Sequence, residues 1–268
     1  MKNYNKKSLL VLLVSLIILL SACSTGSTNT MERIKKEGKF TYAMTGQYPP
    51  YNFINDEGNV DGFDIDIATA IGEKLGVEAK AITTEWDGII GGLNGNRFDI
   101  IIGSMAVTEE RLKEVNFTRP YNYEDAQFFA MKGSGLESIK DLKDGKVGVV
   151  TGTTFDLALK EYDNISEVLQ FSSDVDNFMA AKQGRSDGLV TASLVGARAP
   201  EKYGVDIEPV GDPLYVEKVA MAIRKEDKEF LDAVNKALNE MIEDGTYEEI
   251  SRKWFDANLL EGYEDVTE

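Results

Sequence analysis

From Lys39 onward, two kinds of apolar pattern follow each other along the chain. In some segments every residue or every second residue is apolar, which is typical of strands, and in others apolar residues recur every three or four positions, which is typical of helices. KFTYAM (39–44) has the composition of a short strand, and GFDIDIATAIGEKLG (62–76) begins extended and becomes helical up to a glycine stop. FDIIIGSM (98–105) is nearly continuous in apolar residues, as expected of a strand buried on both faces. The other segments are a loop at YPPYNF, a strand at VEAKAITT and helices at WDGIIGGLNGN and TEERLKEV. This alternation predicts an α/β unit with a largely parallel sheet.

A second series of strand and helix patterns follows, so the sequence predicts two α/β units of similar size. KVGVVTGTT (146–154) is an apolar strand that runs into a turn, and SDGLVTAS (186–193) is a further strand. Helical patterns lie at LESIKDLKDG, FDLALKEY and SDVDNFMAAKQGR, and extended runs lie at DAQFFAMKG, EVLQF and EKVAMAIRK. The last two patterns, KEFLDAVNKALNEMIEDG and TYEEISRKWFDANL, are charged amphipathic helices.

Two extended segments, near 125–130 and 218–223, join these units in the pattern. We therefore expect a discontinuous lobe 1 formed by residues 32–127 and 219–268, and a lobe 2 formed by residues 128–218. Each lobe is expected to contain a mixed, mostly parallel sheet flanked by helices, with the two extended segments acting as hinge crossovers.

Residues 1–22 differ in character from the rest and are expected to be a leader. Three lysines precede the apolar run LLVLLVSLIILL, which suits the hydrophobic region of a signal peptide and is too short to cross a bilayer comfortably. LSAC (20–23) resembles a bacterial lipobox, which implies cleavage before Cys23 and attachment of lipid, such as palmitate, to that residue. Residues 23–31 would then be a flexible tether. The alternative interpretation of Cys23 is an unpaired core cysteine.

Composition excludes several classes of function. Cys23 is the only cysteine and there is no histidine, so a disulfide framework, a thiolate or imidazole metal site and a histidine-based nucleophile system are all excluded. The chain carries 29 basic and 46 acidic side chains, a net charge of −17, which becomes −20 without the three leader lysines. Such an acidic protein is a poor partner for nucleic acid, whose affinity depends on cationic phosphate contacts. No metal and no cofactor is expected.

Arg111 occupies an unfavourable place in its predicted helix. Thr108 is suited to cap the helix that begins at TEERL, and Glu109 and Glu110 suit its first turn. A cation in that turn faces the positive end of the helix dipole, which costs a few tenths to about 1 kcal/mol. Arginines at exposed positions tolerate such placement, but the alternative is that Arg111 is placed to bind an anion.

The mature sequence resembles the extracellular solute-binding proteins of family 3, the receptors of polar amino acid ABC importers. The most specific piece is GFDIDIATAIGEKL (62–75). Further pieces are YPPYNF, WDGIIGGLNGNRFDIIIGSM, VTEERLKEVNFTRPY, KVGVVTGTT, GRSDGLVTA and IEDGTYEEISRKWF, and together they cover about 32–260. The resemblance implies a two-lobe periplasmic-binding-protein-like clamp of type II, which closes on a ligand held between the lobes.

The resemblance also implies a set of ligand-binding positions. Tyr48 and Trp86 would be aromatic platforms, and Arg111 would grip a carboxylate with two parallel charge-assisted hydrogen bonds. Backbone N–H groups of the loop after FDIII would bind the same oxygens, and the TGTT turn would add donors from the other lobe. The remaining positions in this set are Thr45, Ser104, Met105, Ala106, Thr151, Thr153, Thr154 and Ala192.

Two of these positions depart from the family pattern. Ala192 stands where most relatives have an aspartate for the ligand's α-ammonium, and Ala106 stands where a hydroxyl is usual. A buried ammonium without a partner costs several kcal/mol. Either another acid supplies the counter-charge, with Glu85, Glu124 and Asp125 as candidates, or the ligand has no α-amine.

We therefore predict a lipid-anchored, monomeric, non-enzymatic receptor on the extracytoplasmic face of the membrane. It would bind a small carboxylate-bearing solute, an amino acid or derivative by preference, and deliver it to separate permease and ATPase subunits of an ABC importer. The alternatives are a receptor for a carboxylate that lacks an α-amine, an enzyme resembling cyclohexadienyl dehydratase on the same scaffold, and a sensory module that needs a separate signalling partner.

Overall fold

The computed structural model describes residues 29–263. The predicted leader and Cys23 lie outside the described residues. The helices are α1 (Thr30–Glu37), α2 (Phe63–Leu75), α3 (Ile89–Asn94), α4 (Glu109–Glu114), α5 (Thr154–Leu159), α6 (Asp174–Lys182), α7 (Ser193–Tyr203), α8 (Lys228–Glu243) and α9 (Thr246–Phe255). The strands are β1 (Lys39–Met44), β2 (Gln47–Tyr48), β3 (Asn52–Ile54), β4 (Val60–Asp61), β5 (Glu78–Thr83), β6 (Ile100–Ile101), β7 (Val115–Phe117), β8 (Asn122–Met131), β9 (Gly145–Val150), β10 (Ile165–Phe171), β11 (Gly188–Ala192), β12 (Ile207–Pro209), β13 (Tyr215–Val219) and β14 (Ala222–Arg224).

The strands form two large sheets and one small one. The first large sheet has the order β5-β1-β6-β14-β7, and the second has the order β10-β9-β11-β8-β12, with β13 also paired to β8. The small sheet β2-β3-β4 is antiparallel and belongs to the N-terminal part of the chain. Strand and helix alternation in the sequence therefore corresponds to two α/β lobes, as predicted.

Both large sheets are mixed, but parallel pairing covers a smaller share than expected. In each sheet only two pairs are parallel, β5-β1 and β1-β6 in the first and β10-β9 and β9-β11 in the second. The strands next to the crossovers, β14, β7, β8, β12 and β13, pair antiparallel. A chain that passes between the sheets and returns brings strands of opposite direction side by side, and apolar patterns do not reveal strand direction.

The chain passes between the two sheets at residues 118–121 and again at residues 220–221. Strand β8 begins at Asn122 and pairs along its length within the second sheet. Residues 125–130, which the pattern suggested as a crossover, therefore lie inside a strand of the second sheet, and the predicted lobe boundary at 127 falls within that strand. An extended hinge segment and a central strand have the same local sequence signature, so the pairing partner alone distinguishes them.

One aromatic cluster fixes the first crossover to the body of the first lobe. Tyr121, which is fully buried, stacks on Phe63 of α2 at 5.9 Å between ring centroids. Phe63 also makes edge contacts with Tyr247 and Phe255 of α9. Tyr247 donates a hydrogen bond to the Tyr121 carbonyl at 2.6 Å. The C-terminal helices thereby hold the crossover that leads into the second sheet.

The segment LESIKDLKDG forms only a short 3-10 turn, Ile139–Asp141, and not a longer helix. Ser138 and Asp141 cap each other's backbone N–H groups in a capping box, which stabilises a first turn without extending it. Within residues 29–263 no helix has the length and apolar character needed to cross a membrane.

Candidate functional site

A cleft between the two large sheets collects side chains from both halves of the chain. Its empty volume, which includes space open to solvent, is about 530 Å³. From the first lobe it is lined by Thr45, Gln47, Tyr48, Trp86, Gly103, Ser104, Ala106 and Arg111, and Glu124 of β8 lines it from the start of the second sheet. From the second sheet and its helices it is lined by Val150, Thr153, Thr154, Phe155, Ser172, Ser173, Asp174 and Glu217.

Arg111 lies at this cleft, as predicted. Thr108 caps α4 by accepting a hydrogen bond from the Arg111 backbone N–H at 3.2 Å. The guanidinium donates to the Ala106 carbonyl at 2.8 Å and to the Gly152 carbonyl at 3.3 Å. Two of its five N–H groups are thus used by carbonyls, and the others can serve a ligand. Burial lowers the pKa of Arg111, whereas the negative charge of Glu217 raises it. Glu217 therefore offsets part of the cost of removing the guanidinium from water.

Tyr48 and Trp86 flank the cleft as half-buried aromatic side chains. The Arg111 guanidinium carbon lies 5.5 Å from the Trp86 ring centroid, which is within cation–π distance. The Trp86 Nε1–H donates to the Gly152 carbonyl at 3.4 Å. Both Arg111 and Trp86 therefore reach across the cleft to the same carbonyl of the second lobe, so the two lobes are in contact at Gly152.

A buried carboxylate, Asp64, organises the loop beneath the cleft. It accepts hydrogen bonds from the Tyr121 hydroxyl at 2.6 Å and from Asn52 Nδ2 at 2.7 Å, and weaker ones from the Ser104 hydroxyl at 3.3 and 3.4 Å. Burial raises the pKa of Asp64 to about 6, and these three donors oppose that rise. The helix that carries Asp64 begins after Gly62, where a Cβ would lie 2.4 Å from the Tyr51 carbonyl oxygen at φ +128°, so only glycine fits.

The Ser104 backbone N–H is not free for a ligand. It donates to the Tyr121 hydroxyl at 3.0 Å, and its own hydroxyl points to Asp64. Ser104 adopts a positive φ of 52°. The predicted donor loop after β6 therefore contributes less than expected, because the buried tyrosine and aspartate already use its serine.

The TGTT turn acts chiefly as a cap. The Thr153 hydroxyl accepts from the Asp156 N–H at 3.2 Å and donates to the Val150 carbonyl at 2.7 Å. The Thr151 hydroxyl and N–H both donate to the Phe171 carbonyl. Thr154 differs, since its side chain hydrogen-bonds to Glu217 and to Tyr215 and in each case lowers the partner's pKa.

Three carboxyl groups line the cleft opposite this single arginine. Glu124, 3% exposed, accepts from the Tyr48 hydroxyl at 3.1 Å and from Asn122 Nδ2 at 3.2 Å. Glu217 is the residue paired directly with Glu124 across strands β8 and β13, so their side chains share one face. Asp174 begins α6 and is 6% exposed. Burial is the main cause that raises the pKa of all three groups, to about 7 for Asp174 and well above the usual range for Glu124.

The cleft unites most of the predicted ligand-binding residues. Thr45, Tyr48, Trp86, Ser104, Ala106, Arg111, Thr153 and Thr154 line it. The Thr45 hydroxyl faces inward to Asn52 Oδ1 at 3.1 Å.

Three predicted residues lie outside the lining. Met105, 1% exposed, packs in the apolar cluster with Ile89 and Leu93. Ala192, 1% exposed, is paired with Ala126 of β8 and presents only a methyl group. Thr151 faces β10 through the two hydrogen bonds to Phe171. In a strand or a tight loop alternate side chains point to opposite faces, so neighbours of cleft residues are turned into the core.

A sequence profile now identifies the family. The profile of the bacterial extracellular solute-binding proteins, family 3, matches residues 40–257, which is most of the chain. The chain belongs to this family. The resemblance seen in the sequence motifs is thereby confirmed.

Two relatives and one solved structure illustrate the similarity of this solute-binding protein to known members. The L-cystine-binding protein TcyJ of Escherichia coli K12 is 30% identical over 251 residues, covering 93% of this chain and 94% of its own. The ABC transporter arginine-binding protein 1 of Escherichia coli K12 is 31% identical over 221 residues, covering 81% and 90%. The ancestral amino acid-binding protein AncCDT-1, a precursor of cyclohexadienyl dehydratase, superposes with a TM-score of 0.79 at 35% identity, over 84% of this chain and 99% of that chain.

Sequence reasoning missed several residues that line the cleft of this solute-binding protein. Of the three acids considered as counter-charges, the structure places Glu124 in the lining, whereas Glu85 is exposed and Asp125 points to the opposite face of β8. Asp174 and Glu217 were not considered, because one looks like an ordinary first-turn acid of a helix and the other like a surface residue of an extended run. The pattern SSD before a helix and the alternation along YVEKV were the available signals.

Proposed function

We propose that this protein is the solute-binding component of an ABC importer for an amino acid. The observation that carries the proposal is the content of one cleft: a guanidinium from the first lobe, and carboxyl groups from the hinge strands and the second lobe. An α-amino acid has a carboxylate for Arg111 and an ammonium for the acids, so its charges complement both sets. The names of the relatives, which refer to L-cystine and arginine, support the same class of ligand.

The three acids argue against a carboxylate that lacks an amine. Such a ligand would neutralise Arg111 and leave Glu124, Asp174 and Glu217 facing its apolar part without a cation. Buried carboxylates without a counter-charge are costly and become protonated instead. An ammonium group removes that cost, so an amine-bearing ligand is the better fit.

Closure of the two lobes is the proposed mechanism. Arg111 and Trp86 of the first lobe both bind the Gly152 carbonyl of the second, so cleft residues already bridge the lobes. A ligand held by both lobes has more contacts in the closed state than in the open state, and it shifts the population toward closure. No bond of the solute is broken in this cycle, and the closed form is the species that we propose is presented to a separate permease and its ATPase.

Anchoring through Cys23 completes the proposal. The lipobox-like LSAC and the apolar leader before it support attachment of lipid to a mature N-terminus at Cys23, on the extracytoplasmic face of the membrane. We expect the Cys23→Ser variant to appear in the aqueous phase of a detergent partition, whereas the unchanged protein partitions into the detergent. Equal partition of the two proteins would contradict the anchor.

An enzyme on this scaffold is the second candidate, because Glu124, whose pKa is raised well above its usual range by burial, lines the same cleft as Arg111, as a general acid beside a carboxylate clamp would. One of the similar solved structures is described as a precursor of cyclohexadienyl dehydratase, which is a further reason to test for enzymatic activity. Incubation of the purified protein with prephenate and with arogenate tests it directly. We expect binding without turnover, and formation of the aromatic product at a rate dependent on Glu124 would favour the enzyme.

A thermal-shift screen tests the proposed function. The chain without residues 1–22, carrying Cys23→Ser, is screened against the proteinogenic amino acids and L-cystine, each beside its deaminated analogue. A ligand present at a hundred times its dissociation constant stabilises the fold by about 2.7 kcal/mol, or roughly 5–10 °C for a chain of this size. We expect an amino acid to give such a shift and its deaminated analogue to give a clearly smaller one. A larger shift with the analogue would contradict the proposal.

A further inference from the structure

Asp174 is a buried carboxylate whose own lobe gives it no sufficient partner. It lines the cleft, is 6% exposed, and its Oδ1 accepts no hydrogen bond from residues 29–263. The side chain of Thr191 on β11 lies close enough to lower the pKa of Asp174. The two side chains do not form a hydrogen bond of normal geometry, because the Thr191 hydroxyl is also without a partner among residues 29–263. An orphaned carboxylate oxygen at a cleft wall requires an explanation, because leaving it unpaired costs free energy.

Helix capping does not explain Asp174. Ser173 is the N-cap of α6, and its hydroxyl accepts from the Asp176 N–H at 3.1 Å. The Asp176 carboxylate in turn accepts from Ser173 at 3.0 Å and from Ser172 at 2.8 Å. The first turn of the helix is therefore already capped by the serines and Asp176, and Asp174 adds nothing to that network.

The other two acids of the cleft each have at least one hydrogen-bond partner within the protein. Glu124 accepts two hydrogen bonds, from Tyr48 and Asn122. Glu217 is bonded to Thr154 and is favoured in its charged form by Arg111. Among the acids of the cleft lining, Asp174 has a fully buried oxygen without a hydrogen-bond partner in residues 29–263, so it is the acid most in need of a cationic partner.

Resting on the proposed function, we propose that Asp174 binds the ammonium group of the amino acid while Arg111 binds its carboxylate. The two residues lie on different lobes, since α4 precedes the crossover and α6 packs behind the second sheet. Helix α6 also contacts β2, which carries Tyr48, so Asp174 faces the aromatic wall of the first lobe. An ammonium has three donors, and one of them can supply the hydrogen bond that Oδ1 lacks.

Proton release on binding provides a signature that a purely structural carboxylate would not give. Burial raises the pKa of Asp174 to about 7, and the titratable groups that face it are Tyr48 from β2, Glu124 from β8 and Tyr203 from α7. At pH 7 a large fraction of Asp174 is therefore protonated without ligand, and pairing with an ammonium displaces the proton.

The test compares Asp174→Asn with Asp163→Asn, an exposed acid of the same lobe that changes the net charge equally and lies outside the cleft lining. Calorimetric titration uses the amino acid with the largest shift in the screen and its deaminated analogue, for example L-arginine with guanidinovaleric acid. We expect Asp174→Asn to weaken amino-acid binding roughly tenfold to a hundredfold and to leave the analogue within about threefold of wild type. The control variant binds both ligands as wild type does.

A second measurement uses only the wild-type protein, so it does not require that a variant folds. Wild-type titrations at pH 7 in two buffers with different enthalpies of ionisation report the protons exchanged on binding. We expect release of a substantial fraction of a proton with the amino acid and none with its analogue.

The outcomes separate the two proposals. Amino-acid binding that is equally tight in Asp174→Asn, or that releases no proton in wild type, overturns the role of Asp174 and leaves the proposed function standing. Absence of binding by any amino acid to wild type overturns the proposed function itself, and the role of Asp174 with it.

Discussion

At the scale of single residues, Arg111 connects helix geometry with recognition. It lies in the first turn of α4, where a cation is disfavoured, and its guanidinium instead faces the cleft between two carbonyls and the Trp86 ring. The sequence revealed this residue because a cation in a helix's first turn conflicts with the dipole. Two of the acids opposite it, Asp174 and Glu217, were not revealed, because an acid in a helix's first turn or on an alternating strand conflicts with nothing.

We expect Arg111→Ala to reduce affinity for the amino-acid ligand by at least about a hundredfold, since a bidentate charge-assisted pair is lost. The ligand-free melting temperature should stay within a few degrees of wild type, because the side chain is only half-buried and α4 keeps its Thr108 cap. Calorimetric titration and a melting curve of the same sample check both parts. Undiminished affinity in this variant would show that Arg111 does not bind the carboxylate of the ligand.

Asp174 also predicts a pH dependence of stability. Its pKa is about 7 when folded against an ordinary value of 3.8, so the folded state binds the proton more tightly. The resulting stabilisation is fully present below about pH 4 and is lost as the pH rises through 7. Asp174→Asn should therefore match wild type in urea denaturation near pH 4 and exceed it at pH 8 by up to about 4 kcal/mol. Equal stability of the two proteins at pH 8 would show that the ionised Asp174 carboxylate does not destabilise the folded state.

At the scale of elements, the crossover loop and helix α2 form one unit through Tyr121 and Asp64. Tyr121 donates to Asp64 and accepts from the Ser104 N–H, and its ring stacks on Phe63. Tyr121→Phe keeps the stacking and removes both hydrogen bonds. We expect a loss of roughly 1–3 kcal/mol in urea denaturation, because two buried polar groups lose a partner. A variant as stable as wild type would mean that water replaces the hydroxyl.

The order of strands and helices could be predicted from apolar periodicity, because β1, β9, α2 and α8 each follow a strong local pattern. The pairing of the strands could not be predicted, because β8 and a hinge segment have the same apolar alternation. The relative direction of paired strands is set by contacts between residues distant in sequence. At the site, Arg111, Tyr48 and Trp86 were predicted from motifs. Asp174 and Glu217 reach the cleft only when α6 and β13 are folded against it.

At the scale of the whole molecule, α7 joins the second lobe to the first away from the cleft. The Arg198 guanidinium donates to the Trp254 carbonyl at 2.6 Å, and the Lys202 ammonium lies 4.1 Å from the Phe53 ring centroid. Both contacts exist only while the lobes are together. Neither residue lines the cleft, so we expect these contacts to stabilise the closed state without touching the solute.

We expect Arg198→Ala with Lys202→Ala to accelerate ligand release by roughly three- to tenfold, since each exposed contact contributes up to about 1 kcal/mol. The association rate should change little, because the contacts form after the ligand has entered. Stopped-flow displacement measures both rates. Unchanged release would show that the α7 contacts do not hold the closed state.

The most direct test of the account is a crystal structure of the mature protein with the amino acid that gives the largest thermal shift. The account predicts the ligand in the cleft between the sheets, with its carboxylate on Arg111, its ammonium on Asp174 and its side chain between Tyr48 and Trp86. A ligand bound outside the cleft, or one whose carboxylate is more than a hydrogen-bond distance from Arg111, would contradict it.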